Sequence, residues 1–243
     1  KGGLSANMKV ISYILAGIFS FCVLIIIAIT SVEILVYYVP NYYAHEYNKY
    51  DVPRSLSMEV EDLVSVTKEM TAYLKGNREN LSDITATING QENVNFFNSK
   101  EVAHMMDVKA LFRAAITIRL VLLVLSAVLL IIMALLKQHP SRIISLMMMI
   151  CSGVFMLTAT VLAFIISSDF DKYFIKFHEI FFNNDLWMLN PETDKLIRLV
   201  PIGFFIDTAL YIALIFAILL IITIAISYLI FSSTKQVKKR KFL

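Results

Sequence analysis

The chain has 243 residues, of which 58% are hydrophobic and only 17% charged, and its mean hydropathy is +0.71. Soluble domains contain about 45–50% apolar and roughly 25% charged residues, so this composition argues against a soluble enzyme, a disordered chain and a nucleic-acid-binding protein. The formal charge of +3 carries little information until the charges are placed along the chain. The two cysteines, Cys22 and Cys151, lie inside long apolar runs, which argues against a disulfide framework or a zinc knuckle. The sequence therefore predicts an integral membrane protein.

Four apolar segments are long enough to cross a bilayer, which requires about 20 residues of helix. The first is interpreted as a retained anchor rather than a signal peptide, because its apolar stretch is too long and no small-residue cleavage site follows. Lys1–Asn7 is interpreted as an expression remnant, with Met8 as the native start. The predicted transmembrane helices are 10–37, 112–136, 143–167 and 207–231.

Basic residues without acidic neighbours flank one end of the spans, a pattern that marks the cytoplasmic side of a membrane protein. They lie in residues 1–9, in the short turn 137–142 and in the C-terminal tail 232–243. The longer segments 38–111 and 168–206 carry more acidic than basic residues. Both termini are therefore predicted to be cytoplasmic, and the two longer segments extracytoplasmic.

Glu33 and Arg119 are charged residues inside the apolar runs, and both lie near the predicted outer boundary. We expect them to pair with each other or to extend to the interface rather than conduct ions. Since the prolines also lie outside the apolar cores, the membrane part is interpreted as a scaffold or lipid platform.

The longer outer segment predicts a tyrosine-rich exit followed by an amphipathic helix. Six tyrosines between Tyr37 and Tyr50 are interpreted as rings in the headgroup layer. Apolar residues then recur at helical spacing over 56–74, and the pattern stops at Gly76, which is typical of a helix with a glycine end.

Two hairpins are predicted in the outer segments. Alternating runs flank Asn89-Gly90, which is a strong indication of a tight β-turn between two strands. A second hairpin is predicted over 186–199. The predicted fold class is therefore an α-helical membrane protein with four transmembrane helices and a small α+β extracytoplasmic unit.

Two further helices abut the spans, and each carries a histidine. Asn98 and Glu101 have the spacing of a capping box, which predicts a helix start ahead of His104. The other helix is predicted over 171–182 and carries His178 among phenylalanines. Both histidines are expected near the outer headgroup level.

Two stretches carry a resemblance to a known family. They are 101–108, with the sequence EVAHMMDV, and 177–205, which begins FHEIFFNNDLW and continues through NPETD. Together with the four-span layout, they resemble the bacterial lipoprotein intramolecular transacylase family over essentially the whole chain from Met8. The resemblance implies an essential pair of outward-facing histidines, here His104 and His178.

The resemblance also implies a reaction and its partners. Such an enzyme moves the sn-2 acyl chain of a diacylglyceryl-modified N-terminal cysteine onto the α-amino group of that cysteine, giving lyso-form lipoprotein. The expected partners are thus the lipoprotein N-terminus with its acyl chains and the membrane lipids, and no nucleic acid. No cofactor or metal is implied.

This transfer needs proton movements rather than a protein nucleophile, because the substrate supplies its own amine. The α-ammonium must lose a proton, the tetrahedral oxyanion must be stabilised and the departing glycerol oxygen must gain a proton. Histidine suits these proton transfers because it titrates near neutral pH. Of the other two histidines, His139 lies on the predicted cytoplasmic turn, and His45 has no partner motif. His178-Glu179 begins like a zinc-protease helix, but residue 182 is phenylalanine.

Neighbouring polar residues leave alternatives open. Asp107 follows His104 by one helical turn, and it could orient the imidazole or be a solvated carboxylate. Asn183, Asn184 and the indole of Trp187 could donate to an oxyanion, or could belong to an ordinary turn at the membrane interface.

A non-enzymatic protein is the alternative. The hairpins, the aromatic residues and the amphipathic helix would equally suit a membrane sensor or assembly protein with an extracytoplasmic binding unit.

Overall fold

The structure, a computed structural model, describes residues 2–136 and 140–240, with side chains described for 7–136 and 140–234. His139 of the predicted cytoplasmic turn lies outside the described residues, and so do the side chains of 235–243 in the basic tail. In chain order, the elements of the described part are α1 (Gly2–Tyr38), α2 (Tyr42–Lys49), α3 (Val52–Leu56), α4 (Val60–Lys75), β1 (Thr85–Ile88), β2 (Gln91–Asn95), α5 (Ser99–Leu135), α6 (Pro140–Ser168), α7 (Phe170–Phe181), α8 (Leu196–Leu199) and α9 (Ile202–Arg240).

Four of these helices, α1, α5, α6 and α9, are long and apolar enough to cross a membrane. Each extends beyond the apolar segment that predicted it. Helix α5 has 37 residues, and at 1.5 Å per residue it is about 55 Å long, well above the roughly 30 Å of a hydrocarbon core. Its first turns, which carry His104, therefore precede the apolar stretch that begins at Phe112.

One compact unit comprises the described residues of 1–32, 117–165 and 212–243, which include the apolar parts of the four long helices. Its core includes Ala16, Leu129, Met133 and Ile143, contributed by α1, α5 and α6. Many apolar side chains point outward, for example Leu157, which is 67% exposed. Such an apolar surface fits a lipid environment. The backbone of the helices also fits it, because each helix satisfies its own backbone hydrogen bonds.

The other compact unit comprises residues 33–116 and 166–211. Its two strands pair antiparallel, and Asn89 and Gly90 between them have φ angles of 52° and 76°. Positive φ at both central positions matches the right-handed twist of the strands, which is why Asn-Gly forms this turn. Helix α4 ends at Lys75 and is followed by Gly76, whose φ is 90°. The first predicted hairpin, the amphipathic helix with its glycine end and the predicted fold class are confirmed. The start of the helix differs from the prediction, because it begins at Val60 and Leu56 belongs to α3.

The second predicted hairpin is wrong. Residues 196–199 form the short helix α8, and the chain before it turns around Asp194. Asp194 Oδ2 accepts a hydrogen bond from the Asn190 backbone N at 2.7 Å. This bond closes a turn over 190–194, where a turn was predicted. The prediction fails at 196–199, where the Leu199 N–H donates to the Lys195 carbonyl oxygen at 2.8 Å and forms a helical turn in place of a strand.

The interpretation of all six tyrosines as headgroup residues is also wrong. Tyr42 and Tyr47 are buried, and their rings pack against Phe204 with centroids 5.7 and 6.0 Å away. The Tyr47 hydroxyl hydrogen-bonds to Thr67 Oγ1 at 2.5 Å. Tyr38, in contrast, is 66% exposed. Short helix α2 turns part of the tyrosine-rich stretch back into the protein interior.

Candidate active site

The start of α5 positions the first candidate histidine. Asn98 Oδ1 accepts a hydrogen bond from the Glu101 N–H at 2.9 Å, and Glu101 Oε2 accepts one from the Asn98 N–H at 2.7 Å. These reciprocal bonds satisfy two amides that a helix start otherwise leaves unpaired, so the predicted capping box is confirmed. His104 follows one turn later and is 7% exposed.

Helix α7 positions the second candidate histidine. Asp169 caps the helix by accepting a hydrogen bond from the Lys172 N–H at 3.2 Å. His178 lies in the last turn, is 8% exposed, and its Nδ1 lies 2.7 Å from the Phe174 carbonyl oxygen. A carbonyl oxygen can only accept, so Nδ1 carries the proton and donates. In the neutral ring, the lone pair is therefore on Nε2.

The two imidazoles lie side by side. The centroids of His104 and His178 are 6.2 Å apart, and their planes are inclined by 34°. Ring nitrogens lie about 1.2 Å from a centroid, so at this separation they are beyond the hydrogen-bond limit of about 3.2 Å. The rings therefore do not bond directly to each other, and a substrate atom between them could contact both.

Aromatic rings surround the histidine pair. Phe182 contacts both imidazoles, with centroids 5.3 Å from His104 and 5.5 Å from His178. Trp187 stacks on His178 at 4.9 Å with an interplanar angle of 30°, and Phe174 lies 4.3 Å from the same ring. These contacts fix the plane of the imidazole and exclude much of the water around it.

The burial of the pair favours uncharged rings. Burial lowers the pKa of His178, and the hydrogen bond to the Phe174 carbonyl partly opposes this effect. Two positive charges at this separation would also repel each other, so the pair holds at most one extra proton near neutral pH. Nδ1 of His104 is buried and makes no hydrogen bond within the described part of the chain.

Asp107 and Asn184 link α5 to the loop that follows α7. Asn184 Nδ2 donates to Asp107 Oδ2 at 2.9 Å, and Asn184 Oδ1 accepts from the Leu186 N–H at 3.0 Å. The hydrogen-bond partner of the Asp107 carboxylate is thus Asn184 rather than His104. Asn183 is exposed. The roles suggested for these residues and for Trp187 stay predictions.

The structure adds polar residues that sequence reasoning did not assign to the site. Glu101 Oε1 accepts a hydrogen bond from the Leu196 N–H at 2.5 Å, and Asn98 Nδ2 donates to Asp194 Oδ1 at 2.7 Å. The Asn-x-x-Glu spacing indicated only a helix cap, because the second partner of each side chain is distant in sequence. Within the described ranges, no three histidine, cysteine, aspartate or glutamate residues are grouped to hold a metal ion.

The sequence and structure were compared with known proteins. The family model described as lipoprotein intramolecular transacylase Lit matches residues 17–205. No significant match was found among curated protein sequences.

Three similar solved structures are of the membrane integral lipoprotein intramolecular transacylase Lit from Bacillus cereus. The first has 17% identity and a TM-score of 0.71, and the match covers 94% of this chain and 99% of that one. A variant with a histidine-to-arginine mutation has 18% identity, a TM-score of 0.73 and coverage of 97% and 99%. A histidine-to-alanine variant has 18% identity, a TM-score of 0.72 and coverage of 95% and 98%. These likenesses show a shared fold, and the family model covers most of this chain. The chain therefore belongs to the lipoprotein intramolecular transacylase family and is an integral membrane enzyme of that class.

Proposed function

We propose that this enzyme moves the sn-2 acyl chain of a diacylglyceryl-cysteine lipoprotein onto the α-amino group of the same cysteine, with His104 and His178 as the general acid–base pair. The observation that carries the proposal is that two buried imidazoles lie with their centroids 6.2 Å apart and are surrounded by aromatic side chains. Family membership supports the reaction class. Two of the similar structures carry a histidine substitution, and this supports the choice of histidine as the residue type.

The reaction balances with no group supplied from outside. The neutral α-amine attacks the ester carbonyl carbon, and a tetrahedral oxyanion forms. The C–O bond to glycerol then breaks, an amide remains, and one proton moves from the amine nitrogen to the glycerol oxygen. A histidine that takes this proton and later returns it leaves the enzyme as it began, which fits a pair able to hold one extra proton.

His178 suits the role of general base. Its Nδ1 donates to the Phe174 carbonyl, so Nε2 presents a lone pair toward an amine. The lowered pKa keeps this lone pair free at neutral pH. His104 then serves as the partner that hydrogen-bonds the developing oxyanion or the glycerol oxygen.

Exposed apolar side chains beside the pair suit a lipid substrate. On α7, Phe177 is 47% exposed and Ile180 is 73% exposed. A lipoprotein that presents its glyceryl ester to His178 would bring its acyl chains to this surface. Tethering amine and ester in one molecule adds proximity, which lowers the barrier when the enzyme holds a reactive geometry.

The proposed side of the membrane is the outer one. The basic residues of 1–9, 137–142 and 232–243 support cytoplasmic termini. The segments with His104 and His178 adjoin the other ends of the spans, away from these basic residues. The substrate polypeptide would then extend away from the cytoplasm.

Tandem mass spectrometry of a synthetic diacylated lipopeptide tests this function. Intramolecular transfer leaves the parent mass unchanged, so fragment ions and loss of amine reactivity are the readouts. We expect an N-acyl cysteine with a lyso-glyceryl group when purified, folded protein is present. An unaltered lipopeptide would contradict the proposal. A product whose fragments carry both chains on glycerol would contradict it as well.

A further inference from the structure

A buried carboxylate joins the first turn of α5 to the chain that follows α7. Glu101 has no exposed surface. Its Oε2 accepts from the Asn98 N–H at 2.7 Å, and its Oε1 accepts from the Leu196 N–H at 2.5 Å. Burying a carboxylate is costly unless such bonds compensate. An exposed glutamate would cap α5 equally well, so the buried position serves the contact with Leu196.

Two further bonds hold the same stretch, residues 182–196, which we name the active-site loop. Asn98 Nδ2 donates to Asp194 Oδ1 at 2.7 Å. Lys100 Nζ donates to the Met188 carbonyl oxygen at 2.5 Å. Since Leu196 is held by Glu101, the loop is tied at three points to the helix turn that precedes His104.

The active-site loop contacts the histidine pair through Phe182, which packs on both imidazoles, and through Trp187. The indole of Trp187 stacks on His178 at 4.9 Å. Asn184 donates to Asp107, which lies on the same helix as His104. A displacement of the loop at Trp187 would change the stacking on His178, because Trp187 belongs to the loop.

We infer that Glu101 is a positioning residue for acyl transfer, acting through the active-site loop to hold Trp187 against His178. Assigning the histidines as catalytic rests on the proposed function. The contact between Glu101, the loop and Trp187 is independent of it. Glu101 itself contacts backbone amides of Asn98 and Leu196, so it affects the reaction only through geometry.

Glu101→Gln tests this role with little change of shape. A glutamine has one acceptor oxygen and a donating NH₂ group, so one of the two backbone amides would face another donor. The matched control is Glu192→Gln, because Glu192 is an exposed glutamate in the same loop.

Trp187 is the only tryptophan of the chain, so its fluorescence reports the loop directly. In the full-length protein we expect acidification to quench this fluorescence as His178 gains a proton, and His178→Ala to remove that titration. Glu101→Gln should weaken the titration, raise acrylamide quenching at least twofold and lower kcat at least tenfold with KM within threefold. Glu192→Gln should match the wild type in all three.

Two results would overturn the inference. One is a Glu101→Gln protein with wild-type kcat. The other is a lowered kcat with an unchanged Trp187 titration, which would mean that Glu101 acts by another route. If wild-type protein yields no N-acyl product, the proposed function fails, while the fluorescence comparison still decides whether Glu101 holds the loop.

A second variant covers the case in which Glu101→Gln does not fold. Asp194→Asn disturbs the same link from the loop side, since Asp194 accepts from both Asn98 and Asn190. We expect the same weakened titration and increased acrylamide quenching. Wild-type fluorescence behaviour in a folded Asp194→Asn protein would overturn the inference.

Discussion

The indole of Trp187 lies on the imidazole of His178, with centroids 4.9 Å apart and planes inclined by 30°. A second contact holds the same imidazole from within its own helix, where Nδ1 of His178 donates to the Phe174 carbonyl. One contact fixes the plane of the ring, and the other fixes its tautomer. Together they leave Nε2 as the reactive nitrogen, which is the arrangement that a general base requires.

The two histidines should be indispensable. His104→Ala or His178→Ala is expected to lower kcat/KM by roughly 10²- to 10⁴-fold, the usual contribution of a positioned acid or base. Fragment-ion quantification of the N-acyl product measures this loss. His45→Ala is the matched control, because His45 is exposed and lies away from the pair in the sequence. Wild-type turnover in both site variants would contradict the assignment.

Replacing Trp187 should shift the pH profile. In Trp187→Ala, water would reach His178 and its pKa would rise toward the ordinary value, because burial is the main cause of the lowering. The base must be neutral, so the acidic limb of kcat/KM should move to higher pH, and kcat should fall about tenfold or more through lost positioning.

Trp187→Phe is the control, since a phenyl ring still covers His178. We expect its acidic limb to stay near that of the wild type. A shift to lower pH in Trp187→Ala would show that the indole chiefly stabilises the imidazolium by a cation–π contact.

Local signals made several elements predictable. A long apolar run predicts a span by length alone, Asn89-Gly90 predicts a turn through positive φ, and Asn98 with Glu101 predicts a helix start. Each of these depends on residues within a few positions of one another, and all were confirmed.

Local signals of this kind do not predict contacts between residues that are distant in the sequence. Nothing near His104 indicates that its ring lies beside His178, and only the family resemblance suggested the pair. The 196–199 run predicted a strand, but these residues form the short helix α8 and pair with no second strand among the described residues. The burial of Tyr47 likewise depends on Phe204, far along the chain.

Glu46 should make stability depend on pH. It is fully buried, and burial raises its pKa, with a smaller effect from nearby Asp207. Between the unfolded pKa of about 4.3 and the raised value, the folded state binds more protons than the unfolded state. Stability therefore falls as pH rises through this window, by up to about 1.4 kcal/mol per unit.

Glu46→Gln removes this proton uptake. The difference in melting temperature, variant minus wild type, should therefore be more positive at pH 8 than at pH 5 when both are measured in detergent. Glu79→Gln, at an exposed position, is the control. A difference that is the same at both pH values would contradict the expected titration of Glu46.

Gly203 should tolerate no side chain. A Cβ at this position would lie 2.7 Å from Cζ of Tyr50 and closer still to its Cε1. The ring cannot move freely, because the Tyr50 hydroxyl donates to Asp207 Oδ2 at 2.6 Å and Lys49 pairs with the same carboxylate. Gly203→Ala is therefore expected to cost about 1–3 kcal/mol, as overpacking typically does.

The control for this variant is a second helical glycine. Apart from its two chain neighbours and the nearby backbone of its own helix, no described atom lies within 4 Å of a Cβ built at Gly153. Alanine also favours a helix over glycine by up to about 1 kcal/mol. Gly153→Ala should therefore leave the melting temperature unchanged or raise it, whereas Gly203→Ala should lower it by several degrees. Equal melting temperatures for the two variants would mean that Tyr50 can leave Asp207 without loss. In that case the Tyr50–Asp207 hydrogen bond contributes little to holding the start of α9 against the end of α2.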